Sequence, residues 1–508
     1  MPPSTICWTG GANLSMSLVS RGESEDVIDL RPVLFINGFL LLVLATAMGI
    51  PAVVDLVSED RDWRVFAISG MLTAFVALTL ILGARPKDRA SLTSRQAFML
   101  TTVAWTSSAA FAALPFMFSE QHLRLTDAVF EAMSGLTTTG ATVMIGLDHM
   151  PKGILIWRAL LNWLGGEGII IMAVAILPLL RIGGMQVFRM ESSDKTDQIK
   201  ARLNQVAGSI TLVYLGFTAL AAIAFWAAGM GRFDAVCHAM SAISTGGFST
   251  SDAKLAHFNT AVQWVAVFAM IAGGSSFTLW TGPWKNGRPR VLDDAQTHWY
   301  LAFLGTAAGV LGAWQWAVND MTPGVALRHA AFSVSSVVTT TGFVSTDFSA
   351  WGGFAHVVFF ILAFIGGCTG STGGGVKIFR WELLFALAGI HLKRLLHPHG
   401  VFVIHYNQRP IAQQVLDSVL GFVVMYFLTF AVFSLALTMV GLDLITALSG
   451  SASALANIGP GIGDVIGPMG NYRPLPDLAK WILAAEMLLG RLELFTVAVL
   501  FSRSYWRG

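Results

Sequence analysis

Four octapeptides carry chemistry that recurs along this chain: MSGLTTTG (133–140), MSAISTGG (240–247), SSVVTTTG (335–342) and ASALANIG (452–459). They align without gaps. Each has Ser at its second position (Ser134, Ser241, Ser336, Ser453) and Gly at its eighth (Gly140, Gly247, Gly342, Gly459). Successive glycines stand 107, 95 and 117 residues apart. Glycine lets the backbone turn its carbonyls to one side with no Cβ in the way, and Thr and Ser hydroxyls add acceptors. Rings of such oxygens replace the hydration shell of a monovalent cation. One TTTG alone reads most simply as a turn at a helix end, whereas four in register point to a cation pore.

The elements that must hold these segments are apolar. Of 508 residues 54% are hydrophobic and 12% charged, with mean hydropathy +0.64, about half the charge of a soluble domain. That excludes a cytosolic enzyme, a nucleic-acid binder and a disordered chain. The net charge of +2 offers no basic patch for phosphate backbones. Cys7, Cys237 and Cys368 are too scattered for a disulfide framework or a zinc site. Stretches near the ~20 residues a membrane crossing needs predict ten spans: 33–56, 65–83, 97–118, 154–180, 206–230, 261–281, 299–318, 353–390 (interrupted), 416–440 and 481–502. Residues 1–32 read as a flexible tail without a signal-peptide core.

Each octapeptide ends a second apolar segment, too short to span, between two spans. The chain is therefore read as an all-α polytopic membrane protein with an extra helix pair (33–83) and four helix–pore loop–helix repeats, 97–181, 206–281, 299–391 and 416–503. The short segments carry helix-start signals: Asp127, Asp234 and Asp443 as N-caps, and Thr322-Pro323. With the N-terminus inside, the inner loops hold 15 Lys/Arg in 80 residues against 9 in 147 outside, so both termini are expected in the cytoplasm.

The second span of the third repeat is interrupted by GGCTGSTGGG (366–375), with glycine at 366, 367, 370, 373, 374 and 375. So much glycine disfavours a helix, and Val376 before Lys377 breaks the phosphate-loop pattern. The run is either a gate or a kink packed against a neighbour. Arg491 lies inside the last span, where charge is costly unless it faces protein or water. It either pairs with Glu493 or Glu486, or projects into the pore. Lys377 and Arg380 read as snorkelling anchors at the cytoplasmic end, though Lys377 is also placed to contact the loop. Glu167 either caps a break, binds a cation or pairs with Arg158. His391, His397, His399 and His405 cluster in one cytoplasmic loop and suit a metal, a partner or lipid headgroups.

The segments MSGLTTTGAT, MSAISTGGFST, TTTGFVSTDF and LANIGPG, with GGEGIIIMAVAILPLLRIGGMQ (165–186) and GRLE (490–493), resemble the membrane subunits of the Trk/Ktr/HKT potassium-uptake superfamily, bacterial Trk type, over about residues 35 to 505. The resemblance implies potassium as the transported ion in a bacterial inner membrane. It also implies a homodimer of two separate pores and a cytosolic nucleotide-binding regulatory subunit. The family's filter positions fall on Thr138, Thr139 and Gly140; Thr245, Gly246 and Gly247; Thr340, Thr341 and Gly342; and Asn457, Ile458 and Gly459. Glycine at all four eighth positions favours potassium over sodium. In Trk-type proteins the segment matching Gly366, Gly367, Gly370, Gly373, Gly374 and Gly375 is an intramembrane loop that blocks the pore, and the residue matching Arg491 projects into it. Glu167 departs from the apolar residue expected there. Coupling to sodium or protons stays open. A solute transporter with inverted repeats and a membrane enzyme are disfavoured, because the repeats share one topology and the spans hold no HExxH or GxSxG.

Overall fold

The computed structural model describes residues 28–86, 92–175, 196–282 and 290–507. Most of the predicted tail, Cys7, and the end of the 154–180 stretch with the loop after it lie outside those residues. The first two helices, α1 (Arg31–Val57) and α2 (Trp63–Gly83), form a hairpin against α3 (Ser94–Phe118). Three-helix units follow. The first is α3, α4 (Leu125–Leu136) and α5 (Lys152–Ala175); the second is α6 (Thr196–Ala227), α7 (Arg232–Ile243) and α8 (Thr260–Gly273). The third is α9 (Ala295–Val318), α10 (Pro323–Val338) and α11 (Gly353–Leu362), continued after a loop by α12 (Ile378–Leu396). The fourth is α13 (Gln413–Met439), α14 (Leu444–Ala456) and α15 (Asp477–Arg491).

Among the described residues seven helices are long and apolar enough to cross a membrane, not ten. Three predicted spans are broken. The 261–281 stretch is helical only to Gly273, where Gly273-Gly274-Ser275-Ser276 ends α8. The 353–390 stretch splits around the glycine run. The 481–502 stretch breaks after Arg491, where Glu493 (φ 60°) and Leu494 (φ 28°) leave helical geometry.

The short helices α4, α7, α10 and α14 have 12, 12, 16 and 13 residues. At 1.5 Å per residue none covers a ~30 Å hydrocarbon core. Of the expected caps, Asp443 accepts from the Thr446 amide at 3.0 Å, and Thr322 precedes Pro323 without a side-chain bond. Asp127 and Asp234 are first-turn residues rather than caps. Their charge still suits a helix N-terminus, and their oxygens are taken by Lys480 (2.6 Å) and Thr250 (2.7 Å).

The units close on each other in order. The last helix of one packs on the short helix of the next: α5 on α7, α8 on α10, and α15 back on α4. Outward faces of α1, α2, α6 and α13 leave Val43, Phe75, Leu212 and Leu435 exposed, as a lipid-facing surface requires. The extra hairpin is tied to this ring at one polar point, where Asp55 of α1 accepts from the Gly153 amide at the start of α5.

Candidate functional site

Each short helix ends the same way. The residue two before the recurring glycine has left-handed backbone: Thr138 (φ 53°), Thr245 (52°), Thr340 (59°) and Asn457 (57°). The next amide reaches back to the recurring serine's carbonyl: Thr139 to Ser134 (2.8 Å), Gly246 to Ser241 (2.8 Å), Thr341 to Ser336 (2.9 Å) and Ile458 to Ser453 (2.9 Å). A second bond, spanning three residues, runs from the Thr138 amide to the Gly135 carbonyl (3.0 Å) and recurs at the three equivalents (3.1–3.2 Å). Together these make the Schellman helix end. Asn tolerates left-handed backbone, whereas a β-branched Thr in it is strained, by about 1–3 kcal/mol. The glycine itself is left-handed in every copy, with φ of 81°, 77°, 75° and 106°.

The four glycines form a closed circuit. A Cβ on Gly140 would stand 2.4 Å from the Gly246 carbonyl oxygen; on Gly247, 2.0 Å from that of Thr341; on Gly342, 1.8 Å from that of Ile458; and on Gly459, 2.6 Å from that of Thr139. Each segment is pressed against the peptide that precedes its neighbour's glycine. The fourth quarter differs in its side chains. Asn457 Nδ2 donates to Thr139 Oγ1 (3.0 Å) and to the Met487 carbonyl (2.9 Å). The Gly459 carbonyl accepts from the Tyr472 hydroxyl at 2.6 Å, and burial pushes that hydroxyl's pKa up, which keeps it a donor. All four glycines line a cavity of about 260 Å³, together with Arg158, Asp252 and Lys254.

Behind the first two quarters lies a buried ion pair. Arg158 Nε meets Glu131 Oε1 at 2.9 Å, its Nη1 donates to the Ser249 carbonyl (2.8 Å) and its Nη2 to Thr142 Oγ1 (3.1 Å). Glu131 also accepts from the Val143 amide at 2.9 Å. Arg158 is therefore committed to Glu131 and does not pair with Glu167.

On the other side the glycine run lies across the helix ends. Thr372 Oγ1 donates to the Ile243 carbonyl (3.0 Å), a Cβ on Gly373 would meet the Thr339 carbonyl oxygen at 2.9 Å, and one on Gly374 that of Ala456 at 2.3 Å. Three consecutive residues thus touch the ends of α7, α10 and α14. The Gly374 amide also donates to Thr340 Oγ1 (2.8 Å). Elsewhere in the run, a Cβ on Gly366 would meet the Gly374 carbonyl and one on Gly367 that of Gly274; the Gly370 carbonyl accepts from the Phe277 amide, and Gly375 packs on Gly366.

Arg491 has neither of the carboxylate partners considered for it. Its Nη1 donates to the Thr372 carbonyl (2.7 Å) and its Nη2 lies 3.4 Å from that of Gly165. Glu493 is taken by Arg380, with Lys377 Nζ at 4.0 Å, and Glu486 accepts from Ser451 at 2.6 Å. Lys377 and Arg380 are buried, 6% and 2% exposed, so they are not snorkelling anchors. Burial follows from where the run ends: Lys377 (φ 75°) is the turn into α12, and Arg380 stacks 3.7 Å from the Phe422 ring. His391, His397, His399 and His405 form no metal site: among the described residues no three His, Cys, Asp or Glu side chains form a metal-sized group.

A further set went unread. A Gly-X pair follows each octapeptide: Gly165-Gly166, Gly273-Gly274 and Gly490-Arg491 in or at the end of the last helix, and Gly366-Gly367 in the break after α11. A Cβ on Gly165, Gly273 or Gly490 would strike the carbonyl oxygen of Leu136, Ile243 or Leu455, at 1.8, 2.7 and 1.9 Å. In these three units the first glycine is where last helix and short helix touch, and a Gly-X after every octapeptide was the available signal. Arg491 occupies the X position that is glycine in the other three units.

Residues 64–288 and 290–507 match the family described as "TrkH: Cation transport protein". The chain belongs to the TrkH family. It is 43% identical over 491 residues to the Trk system potassium uptake protein TrkI of Halomonas elongata, covering 96% of this chain and 99% of the relative. To the Trk system potassium uptake protein TrkH of Escherichia coli it is 38% identical over 494 residues, covering 94% and 99%. The crystal structure of the potassium transporter TrkH from Vibrio parahaemolyticus superposes with a TM-score of 0.87 at 35% identity, covering 94% of this chain and 100% of that one. A TrkH-family chain is a multi-pass cation transporter and not an enzyme.

Proposed function

We propose that this chain is the pore subunit of a potassium-uptake system in a bacterial cytoplasmic membrane. The circuit of four glycines, each against its neighbour's carbonyl, carries the reading. It supports a quasi-fourfold filter in which Thr138, Thr139 and Gly140 and the residues at the same places in the other segments offer oxygens to a dehydrated cation. The helix ends behind it add carbonyl-rich negative poles aimed at the same place.

The run 366–375 and Arg491 are the gate. Thr372, Gly373 and Gly374 lie under three helix ends, and Arg491 adds a positive charge held on the loop's own backbone. Opening moves the loop aside and parts Arg491 from the Thr372 carbonyl. An inside-negative membrane supplies about 2.3 kcal/mol per charge per 100 mV, enough for roughly 40-fold accumulation without a coupled ion. As the resemblance to Trk-type membrane subunits implies, a cytosolic regulatory subunit sets the gate on the side where both termini lie, and two copies form a homodimer of separate pores.

The test is rubidium-86 influx into a potassium-uptake-deficient strain, with a Trk-type regulatory subunit co-expressed. Saturable influx that Gly140→Ser abolishes or shifts toward sodium supports the filter. Absence of influx from wild-type chain shown to be in the membrane overturns the potassium reading.

A further inference from the structure

We infer that a lateral cavity beside Glu167 is a binding site for an organic cation with an apolar body. The cavity, about 370 Å³, lies between α1, α3 and α5, and its walls include Leu40, Val43, Leu100, Trp105 and Ile171. Among the described residues Glu167 is the single ionisable side chain on its lining. Val43 is 55% exposed on the outward face of α1, so the cavity is reached from the lipid. Its inner wall includes Leu136, the end of α4, and Gly165, whose carbonyl faces Arg491.

Glu167 stands fifteen residues along α5 from Lys152, about 22 Å from that end at 1.5 Å per residue, hence within the hydrocarbon. It has no hydrogen bond or ion pair among the described residues, and Arg158, its one candidate partner, is held by Glu131. An ionisable group at such depth is costly alone and marks a functional place by default. A hydrated metal cation would have to shed its water against apolar walls with one carboxylate to replace it. A quaternary ammonium or phosphonium ion does not face that cost: its charge lies inside apolar groups that match Leu40, Leu100 and Ile171. Glu167 supplies the counter-charge and the Trp105 ring a face for a cation. The inference does not depend on which ion the pore carries.

Full-length protein in lipid nanodiscs is titrated with radiolabelled tetraphenylphosphonium. Saturable binding near one per chain is expected, weakened at least tenfold by Glu167→Gln, kept by Glu167→Asp, and removed by Ala104→Trp, which fills the cavity from α3. Rubidium influx of the Glu167→Gln chain, expected unchanged, shows that it folds. Absence of saturable binding to wild type overturns the site. So does equal binding to Glu167→Gln, or equal displacement by neutral triphenylmethane, which would mean that the cavity takes an acyl chain and ignores charge.

Discussion

At the scale of the residue, the filter glycines are unequal, and the inequality is measurable. The room for a methyl group falls from Gly459 (2.6 Å) through Gly140 (2.4 Å) and Gly247 (2.0 Å) to Gly342 (1.8 Å). Alanine at each also meets the ~1–2 kcal/mol penalty of left-handed backbone, so the crowding decides the order. Rubidium influx is expected to fall least in Gly459→Ala and most in Gly342→Ala. Equal losses would mean that backbone conformation alone matters. In the proposed gate, Arg491→Ala removes a fixed charge beside the path, worth about 2 kcal/mol of repulsion at ~8 Å in an effective dielectric near 20. Unstimulated influx should rise on the order of tenfold; wild-type influx in that variant would remove Arg491 from the gate. These positions were legible because glycine and a mid-membrane arginine both break a pattern. The left-handed Thr138, Thr245 and Thr340 were not, since nothing in a threonine announces strain.

Among the elements, the long helices were readable from their apolar length and the short ones from the octapeptides that end them, with a capping side chain as expected only at Asp443. The broken ones, 261–281 and 481–502, were not, because the sequence stays apolar through each break. In the last span the break rests on the Glu493–Arg380 pair, whose partners are 113 residues apart and meet only in the fold. The Glu131–Arg158 brace was missed for a related reason: each residue alone looks like an isolated charge. It ties α4 and α5 to the chain leaving the first two filter segments. Arg158→Ala leaves a buried carboxylate unpaired, which costs about 3–5 kcal/mol. The melting temperature of the purified chain in detergent should drop clearly, and influx with it. An unchanged melt would show that the pair contributes nothing net.

Across the whole molecule, the cavity lined by the four glycines is expected to give influx a pH response. Lys254 lies on its wall, bonded to the Pro468 carbonyl. Burial lowers its ammonium from 10.5 to about 8, with Asp347 opposing and Arg158 adding to the shift. Asp252 faces the same space. Below about 8 the charge is present and repels entering cations; above it the charge is lost. Influx should therefore rise between pH 7 and pH 9 in wild type and stay flat in Lys254→Gln; a rise of the same size in the variant would refute the assignment. The stability sign follows from the same shift. Between about 8 and 10.5 the unfolded chain binds a proton that the folded chain does not, so Lys254 makes stability rise with pH across that window. None of this was visible in the sequence, where Lys254 is a single lysine in a polar loop. The ring was visible as four repeats, but its closure by α15 on α4 was not.

All four quarters of this ring are written in a single polypeptide, so a point mutation alters one quarter and spares three. In a ring assembled from identical subunits, any change would appear four times at once. Here specialisation is possible. One unit gives up a continuous last helix and supplies the run that lies beneath the others, and another replaces a contact glycine with Arg491. A third keeps two glycines at that place and gains the neighbouring Glu167. Repetition supplied the aperture, and covalent linkage allows its sides to take up separate trades.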